Sequence, residues 1–419
     1  MDRAARSGTE LRHYPSLRPQ TKSAISPQRF LFLFSDTGGG HRASAQAVKD
    51  ELVRLYGSSA AVEMLDIFVE MNRWPFHRFP AWYPTAVGLN GIPWGVGFHL
   101  SDGVRLMTAM SKLLWPYART PLCDLLRRHP ADVIVSFHPI PNCAIFLALQ
   151  RLGQQPPVVI VTLDLVTAHA GWFTPGAHLY TVPTYAAKAR ALRWGLPESR
   201  IRVTGMPTRR SFLLSMDLPK SQARAQLHLP QEKAIVLIVG GGEGMGPLGQ
   251  VVRAIAEQRP NAHIVVITGR NQALYEELAN AGLPGSVQVE GFVSNMEVWM
   301  RAADLLVTKA GPNTLAEAFI PGLPLVLYTA LPGQEAGNVD HVVENGAGIW
   351  APLPRLAAQA VMELLNNPSA RASMARRSQA LARPFATEQI AQALWSEALR
   401  HQEAIGLQSR TSHTLSMLA

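Results

Sequence analysis

The sequence predicts an α/β protein of two doubly wound domains, each built on a parallel sheet, that face each other across a cleft. Short apolar runs of strand length alternate with segments of helical periodicity, an alternation typical of parallel sheets. The alternation occurs twice, before and after a stretch at 205–231 that is rich in Pro, Ser and Arg. With 419 residues, 47% of them hydrophobic, the chain is long enough for two or three packed domains.

The first half opens with the pattern strand, glycine-rich turn, helix. We expect a strand at 30–35, a turn at 36–40 and a helix from His41. The apolar positions of this helix follow helical spacing at Ala45, Val48, Leu52 and Leu55. Two further apolar runs, at 132–137 and 158–163, predict buried strands because each is followed by loop residues.

The second half repeats the scheme. Its predicted strands lie at 235–240, 263–268, 287–289, 305–309 and 325–328. Its predicted helices lie near 248–258, 271–280, 296–303, 314–319, 339–345, 357–365, 371–381 and 387–399, before a loose tail from about residue 402. The expected organisation is therefore a flexible arm at 1–28, a first domain at 29–210, a linker at 211–231, a second domain at 232–385, and a C-terminal helix and tail at 386–419.

Composition excludes several classes of protein. Two cysteines, Cys123 and Cys143, are too few for a disulfide framework or a four-cysteine zinc site. The chain has no apolar stretch of about 18 residues, and residues 1–28 lack the apolar run of a signal peptide.

The net charge of +9 is concentrated in residues 1–220, where 25 Lys and Arg face 14 Asp and Glu. This asymmetry indicates either an anionic surface as partner or a solvated basic face.

Residues 71–117 interrupt the alternation with aromatic and basic side chains. Four of the nine tryptophans fall here, interleaved with Arg73, Arg78, Arg105, Lys112 and Arg119. Trp and Tyr favour the headgroup level of a bilayer, while Arg and Lys pair with anionic lipid. We therefore predict membrane contact by aromatic side chains at Trp74, Trp82, Tyr83, Trp94 and Trp115. The alternative is an insertion that packs over the core of the first domain.

Two glycine-rich turns follow predicted strands, at 38–40 and at 240–246. Such turns present backbone N–H groups beside a helix N-terminus, an arrangement that suits phosphate. Tight-turn geometry would explain either one, but a pair with one member in each domain indicates a diphosphate ligand in the cleft. The chain contains no Asp-x-Asp pair and no Walker lysine, so we expect N–H dipoles and basic side chains to supply the positive charge, without a metal.

His41 is the leading candidate for chemistry in the first domain. It stands at a helix N-terminus beside the first turn, and the positive helix end should lower its pKa and keep it neutral, as a general base requires. A phosphate contact or a structural role is the alternative. His138, Asp164 and His169 follow the next two strands and either face the cleft or organise loops. Asp36 is either a second catalytic group or a turn carboxylate.

The second domain offers polar loops after two of its strands. Glu317 lies one turn into a helix, where its carboxylate could clasp a ribose diol or compensate the helix dipole. The loop at 332–338 carries Gln334, Glu335 and Asn338. These side chains could read several sugar hydroxyls, or they could belong to an ordinary polar loop.

Four motifs in this order resemble those of monogalactosyldiacylglycerol synthases and bacterial diacylglycerol glycosyltransferases, in glycosyltransferase family 28. They are Ser35-Asp36-Thr37-Gly38-Gly39-Gly40-His41-Arg42-Ala43-Ser44, Gly240-Gly241-Gly242-Glu243-Gly244-Met245-Gly246-Pro247, and the segments 308–317 and 333–339. The resemblance implies a GT-B fold. It also implies inverting transfer of galactose from UDP-galactose to 1,2-diacylglycerol, which yields β-monogalactosyldiacylglycerol.

The resemblance further implies residue roles. His41 matches the family's essential histidine, as base or acceptor-orienting group, with Asp36 beside it. The donor-binding positions are Gly39, Gly40, Gly241, Gly242, Glu243, Gly244, Met245, Phe292, Val293, Gly311, Thr314, Glu317, Gln334, Glu335 and Asn338. Of these, Phe292 and Val293 match the uracil site and Glu317 the ribose site. The acceptor side is assigned to His138, Asp164 and His169.

Two departures from the family pattern concern the site. Asn313 replaces the usual Gly of Gly-Pro-Gly-Thr beside the diphosphate, and 140–142 differs from the plant-type continuation after His138-Pro139. The expected partners are UDP-galactose or UDP-glucose, diacylglycerol and an anionic membrane surface, with no nucleic acid and no cofactor. The expected location is peripheral, on the cytoplasmic face of the membrane.

Three alternatives stay open at the level of function. UDP-glucose is the alternative donor, because galactose and glucose differ in the orientation of a single hydroxyl. A transferase with a soluble or polyprenyl acceptor is a second possibility. A catalytically inactive protein that keeps the fold and binds a lipid surface is the third.

Overall fold

Two domains, each with a six-stranded sheet, make up the part of the chain described by the computed structural model, namely residues 27–37, 39–82, 91–244 and 246–417. The α/β architecture predicted from the alternation of elements is therefore confirmed. The arm predicted at 1–28 lies almost wholly outside the described residues, as do Gly38, Tyr83 and Met245.

The first sheet is parallel and buried on both faces. Its strands are β1 (Gln28–Phe34), β2 (Ala60–Asp66), β3 (Val133–Ser136), β4 (Val158–Val161), β5 (Leu179–Val182) and β6 (Ile201–Val203). They are ordered β2-β1-β3-β4-β5-β6. Along β1, Phe30, Phe32 and Phe34 join one apolar cluster, and Leu31 and Leu33 join the cluster on the opposite face. This two-residue period explains why the strand reads as a continuous apolar run.

The second sheet follows the same rules. Its strands are β7 (Ala234–Val239), β8 (Ala262–Ile267), β9 (Val287–Glu290), β10 (Leu305–Lys309), β11 (Leu325–Thr329) and β12 (Gly348–Trp350). Their order is β12-β11-β10-β7-β8-β9, and every neighbouring pair is parallel. When β7 is counted as the first strand and the order is read from the β9 edge, the strand order is 3-2-1-4-5-6, which is that of a dinucleotide-binding fold.

Helices cover both sheets. Those of the first domain are α1 (Gly40–Tyr56), α2 (Ile67–Glu70), α3 (Ile92–Ser101), α4 (Val104–Arg128), α5 (Asn142–Leu152) and α6 (Tyr185–Arg193). The stretch predicted as a linker contains α7 (Arg210–Leu214) and α8 (Lys220–Gln226). Those of the second half are α9 (Leu248–Glu257), α10 (Gln272–Ala279), α11 (Met296–Ala302), α12 (Pro312–Phe319), α13 (Ala336–Glu344), α14 (Pro354–Asn366), α15 (Pro368–Ala380) and α16 (Ala386–Met417).

The last helix returns to the first domain. In α16 the Trp395 ring stacks on Tyr56 at a centroid distance of 4.1 Å and lies 6.3 Å from the Phe30 ring. The C-terminal segment therefore ties the two domains together. Helix α16 continues to Met417, through the stretch from about residue 402 that was predicted as a tail.

Short and edge elements escaped sequence reasoning. In β2 the exposed Ala61 and Glu63 interrupt the apolar run, β5 includes Thr181 among its four residues, and β6 and β12 have only three residues each. Much of the aromatic segment at 71–117 lies in α3 and α4. Across the described ranges, none of the helices combines the length and the apolar composition needed to cross a membrane.

Candidate active site

Each sheet has one point at which the chain connections from two adjacent strands run to opposite sides, so that the strand order reverses there. In the first sheet this point lies between β1 and β3, and in the second it lies between β7 and β10. Ligands of open α/β sheets bind outside the carboxyl ends of strands at such points. The loops after these four strands are therefore the first place to look for a site.

One cavity of about 370 Å³ lies between the two domains and is lined by the loops after β1, β7 and β10, though not by the loop after β3. The first domain contributes Thr37, Gly39, Gly40, His41, Ala43, Leu163 and Asp164. The second half contributes the predicted donor-binding positions Gly241, Gly242, Glu243, Phe292, Val293, Gly311, Thr314, Glu317, Gln334 and Glu335. The structure thus brings together most of the residues predicted for a bound nucleotide.

The His41 imidazole is held in one orientation at the cavity wall. Its Nδ1 lies 2.7 Å from the Phe137 carbonyl oxygen, which can only accept, so Nδ1 carries the proton and Nε2 keeps its lone pair. The ring also lies 4.8 Å from the His138 ring and 6.1 Å from Trp172, centroid to centroid. Burial lowers the pKa of His41, against the opposing effects of the Phe137 hydrogen bond and nearby carboxylates. The expected direction is found, but burial rather than the helix end is its main cause.

Three other candidates of the first domain do not line the cavity. His138 is buried, accepts the Ile140 N–H at Nδ1, and has its pKa lowered well below the ordinary value by burial and by the neighbouring His41. His169 accepts the Gly171 N–H at Nδ1, so it organises its loop. The Asp36 carboxylate is paired with Arg42 and does not line the cavity.

Asp164 does reach the cavity, where it joins the two domains. One carboxylate oxygen accepts from the Trp172 indole at 2.7 Å, and the other accepts from Gln334 Nε2 at 2.9 Å. A second link runs from the Gly337 N–H to Thr167 Oγ1, at 3.0 Å. Gln334 Oε1 is buried and has no hydrogen-bond partner within the described residues, so it is available to a donor on a ligand.

The turn after β7 requires glycine for steric reasons. A Cβ at Gly244, where φ is +57°, would lie 2.4 Å from the Thr268 carbonyl oxygen, and Gly241 has φ of +76°. Backbone amides therefore come close to the cavity without side chains in between. Unlike Gly241 and Gly242, Gly244 supports the turn and does not line the cavity.

Two cations missed by sequence reasoning flank this turn. Arg270 Nη1 pairs with Glu243 at 2.7 Å, and its guanidinium lies 5.0 Å from the centroid of the Phe292 ring. Lys309 Nζ pairs with the buried Glu335, whose second oxygen accepts the Leu331 N–H at 2.9 Å. Both cations line the cavity. Arg270 follows β8 and Lys309 ends β10, and this position at the carboxyl end of a strand was the sequence signal that could have identified them as site residues.

Arg209 was also missed as a site residue, and Asn313 was noted only as a departure from the family pattern. Arg209 lines the cavity and pairs with Glu297, at 3.2 Å. The Asn313 amide crosses the cleft to the Gly40 carbonyl at 3.3 Å and to Ser44 Oγ at 3.2 Å. The departure from the family's glycine thus adds an interdomain contact. Asn338, in contrast, is buried behind the cavity and donates to the Ala310 carbonyl.

Glu317 is a titratable group of the cavity with a shifted pKa. It lines the cavity beside Thr314, and burial raises its pKa to about 7, with the charge of Arg209 acting in the opposite direction.

Of the predicted membrane residues, Trp74 and Trp82 are exposed, Trp94 is half-buried, and Trp115 packs against the first-domain core. The described residues include no group of three or more His, Cys, Asp or Glu that could hold a metal ion.

Comparison with known proteins gives concordant results. Residues 41–208 match the family model for monogalactosyldiacylglycerol (MGDG) synthase, and residues 235–390 match that for the glycosyltransferase family 28 C-terminal domain. Monogalactosyldiacylglycerol synthase 3, chloroplastic, of Arabidopsis thaliana is 38% identical over 347 residues, covering 80% of this chain and 74% of the relative. Synthase 2 of the same plant is 38% identical over 343 residues, covering 80% and 73%.

Solved structures resemble the chain in fold. MurG of Acinetobacter baumannii aligns with a TM-score of 0.55 at 17% identity, covering 88% of this chain and 100% of that one. The S. aureus MnaA–UDP structure aligns with a TM-score of 0.58 at 14% identity, covering 87% and 94%. At these identities the likeness concerns the architecture alone, and it confirms the GT-B fold.

The raised pKa of Glu317 predicts a pH-dependent stability. A carboxyl whose pKa is higher in the folded state stabilises the fold below its unfolded pKa, and this contribution is lost as pH rises through about 7. Glu317→Gln should therefore melt several degrees above the wild type at about pH 8, and much closer to it at about pH 5. The exposed Glu257→Gln serves as control and should show no such divergence in thermal melts. A difference for Glu317→Gln that is independent of pH would contradict the assignment.

Proposed function

The chain belongs to the monogalactosyldiacylglycerol synthase family, and from this premise we propose how its cavity transfers galactose from UDP-galactose to 1,2-diacylglycerol. The enzyme is a UDP-sugar-dependent hexosyltransferase, and the relatives that support this are named for galactolipid synthesis. The observation that carries the proposed mechanism is the placement of His41 and of the glycine turn after β7 on the walls of one cavity.

We place the donor mainly on the second domain. Phe292 and Val293 offer an apolar wall for uracil, and Glu317 lies within the cavity for the ribose hydroxyls. The amides of Gly241 and Gly242 serve the diphosphate, as the steric demand for glycine in this turn supports. The hexose then lies towards Gln334 and Asp164, which meet from opposite domains.

The charge that develops on departing UDP is offset by cations of the chain. Lys309 and Arg270 are held beside the turn by Glu335 and Glu243, so they need little rearrangement when the C1–O bond breaks. We propose that these cations, with the amide dipoles, perform the task that a divalent ion performs in other sugar-nucleotide sites. Independence of added metal remains a prediction.

His41 acts as the general base on the acceptor. Its Nε2 takes the proton from the free hydroxyl of diacylglycerol, the oxygen attacks C1 of the sugar, and UDP leaves with the electron pair of the broken bond. Attack from the first domain on a donor held by the second comes from the face opposite UDP. The expected product is therefore the β-anomer.

Product analysis tests the proposed reaction and the identity of the donor. Incubation with diacylglycerol vesicles and labelled UDP-galactose should give a β-galactolipid, whereas labelled UDP-glucose should give much less product. Mass analysis of the extracted lipid, followed by digestion with β-galactosidase, measures both. A predominant glucolipid would establish the alternative donor. UDP release without any glycolipid would contradict transfer to diacylglycerol.

Replacing the proposed base separates chemistry from donor binding. His41→Ala should lower kcat at least about a hundredfold, since general-base assistance contributes about 10²–10⁴ in rate. The Kd for UDP, measured by titration calorimetry, should stay within about twofold, because the nucleotide is bound by the second domain. His263→Ala, on β8 and outside the cavity, is the control. Turnover near that of the wild type would remove His41 from the mechanism.

The first domain presents a surface suited to the acceptor's membrane. Around α3 and α4 large apolar side chains are exposed, among them Trp74, Trp82, Leu100 and Leu113. Five basic residues between positions 73 and 119 are also exposed, namely Arg73, Arg78, Arg105, Lys112 and Arg119. We propose that this apolar-basic surface docks on an anionic bilayer as a peripheral contact. Location on the cytoplasmic face remains a prediction.

Negative charge introduced on this surface tests the docking proposal. Leu100 and Leu113 are 71% and 80% exposed, so Leu100→Glu/Leu113→Glu should fold normally yet lose most vesicle binding in sedimentation assays. Leu353→Glu changes an equally apolar, 55% exposed residue of the second domain and should bind vesicles like the wild type. Wild-type binding should weaken as salt is added, because the basic residues contribute to it. Undiminished binding by the double variant would refute this surface.

A further inference from the structure

The loop at 331–335 is sandwiched between the cavity and helix α3. Leu331, Gln334 and Glu335 line the cavity. The two residues between them, Pro332 and Gly333, contact α3 instead. A shift of α3 relative to the loop would therefore alter the cavity wall proposed to receive the hexose.

The contact between loop and helix has no room for additional atoms. A Cβ at Gly95 would lie 2.6 Å from Pro332 Cβ, and one at Gly91 would lie 2.8 Å from Pro332 Cδ. From the loop side, a Cβ at Gly333 would lie 2.7 Å from Phe98 Cδ1. Glycine on both sides lets the helix and the loop touch directly, so neither can move far without the other.

The same helix has two further contact faces. Ile92, Val96 and Leu100 point outward and are 63%, 54% and 71% exposed, so they belong to the surface proposed to dock on lipid. Inward, the Phe98 ring lies 4.9 Å from the His169 ring, and Ser101 Oγ lies 3.1 Å from His169 Nε2. Helix α3 thus packs on the rest of the first domain, contacts the loop at 331–335, and forms part of the surface proposed to dock on lipid.

We propose that α3 is a positioning element of the donor site, through which docking on lipid strengthens the binding of the UDP-hexose. Fixing α3 in a bilayer surface restricts Pro332 and Gly333, and so keeps Leu331, Gln334 and Glu335 in place at the cavity wall. Coupling of this kind is reciprocal, so bound nucleotide strengthens vesicle binding by the same factor. This inference rests on the docking surface proposed above.

A matched pair of glycine substitutions tests the coupling. Gly95→Ala places a methyl group against Pro332, whereas Gly97→Ala, two residues on in the same helix, meets nothing within 4 Å. The probes are UDP and vesicles of phosphatidylcholine with phosphatidylserine. Vesicles should tighten the Kd for UDP about fivefold or more in the wild type and in Gly97→Ala. Gly95→Ala should bind vesicles normally, show no vesicle effect on the Kd for UDP, and raise the KM for UDP-galactose.

Two outcomes would overturn the proposal: a wild-type Kd for UDP that ignores vesicles, or a vesicle effect that Gly95→Ala keeps. Should Gly95→Ala fail to fold, Pro332→Ala removes ring atoms from the same contact without adding any, and must weaken the vesicle effect. Failure of the proposed reaction is recognised separately. In that case UDP and vesicles still bind cooperatively, but no galactolipid forms.

Discussion

The carboxyl ends of two parallel sheets meet at one cavity, and the remaining features of the site depend on this meeting. Each sheet brings the loops of its own switch point, so that one turn presents His41 and the other presents the amides of Gly241 and Gly242. These groups are fixed by strands that are buried on both faces. Their dipoles therefore face a developing charge without first having to reorient, which is the condition under which electrostatic stabilisation is strongest.

The cleft is bridged by a few hydrogen bonds rather than by a continuous apolar interface. Asn313 reaches Gly40 and Ser44, and Gln334 reaches Asp164. Such bonds hold the two halves of the cavity in register, yet they can exchange with hydroxyls of a bound sugar at small net change in free energy. The same loop that supplies Gln334 packs against α3, so the site for a water-soluble donor and the surface proposed for a lipid are mechanically adjacent.

Sequence reasoning succeeded where one local rule decides the outcome. Continuous apolar runs located the central strands, and the glycine turns after β1 and β7 located two walls of the cavity, the first of them with His41. The polar segment after β10 located Glu317. It left alternatives open, or gave no signal, where tertiary contacts decide. His138 and His169 also follow strands, but their rings turn into the packed interior. Arg270 and Lys309 became recognisable as site residues only once β8 and β10 were seen flanking β7. Helices α3 and α4 were hidden by a composition that suggested only an aromatic, basic insertion.

A crystal structure of the protein with UDP tests the central claim most directly. The account predicts uracil against Phe292 and Val293, ribose hydroxyls at Glu317, and the diphosphate at the Gly241 and Gly242 amides between Arg270 and Lys309. The terminal phosphate should point towards the cavity wall that carries His41. Nucleotide bound elsewhere, or an empty cavity in a protein that solution titration shows to be saturated with UDP, would contradict it.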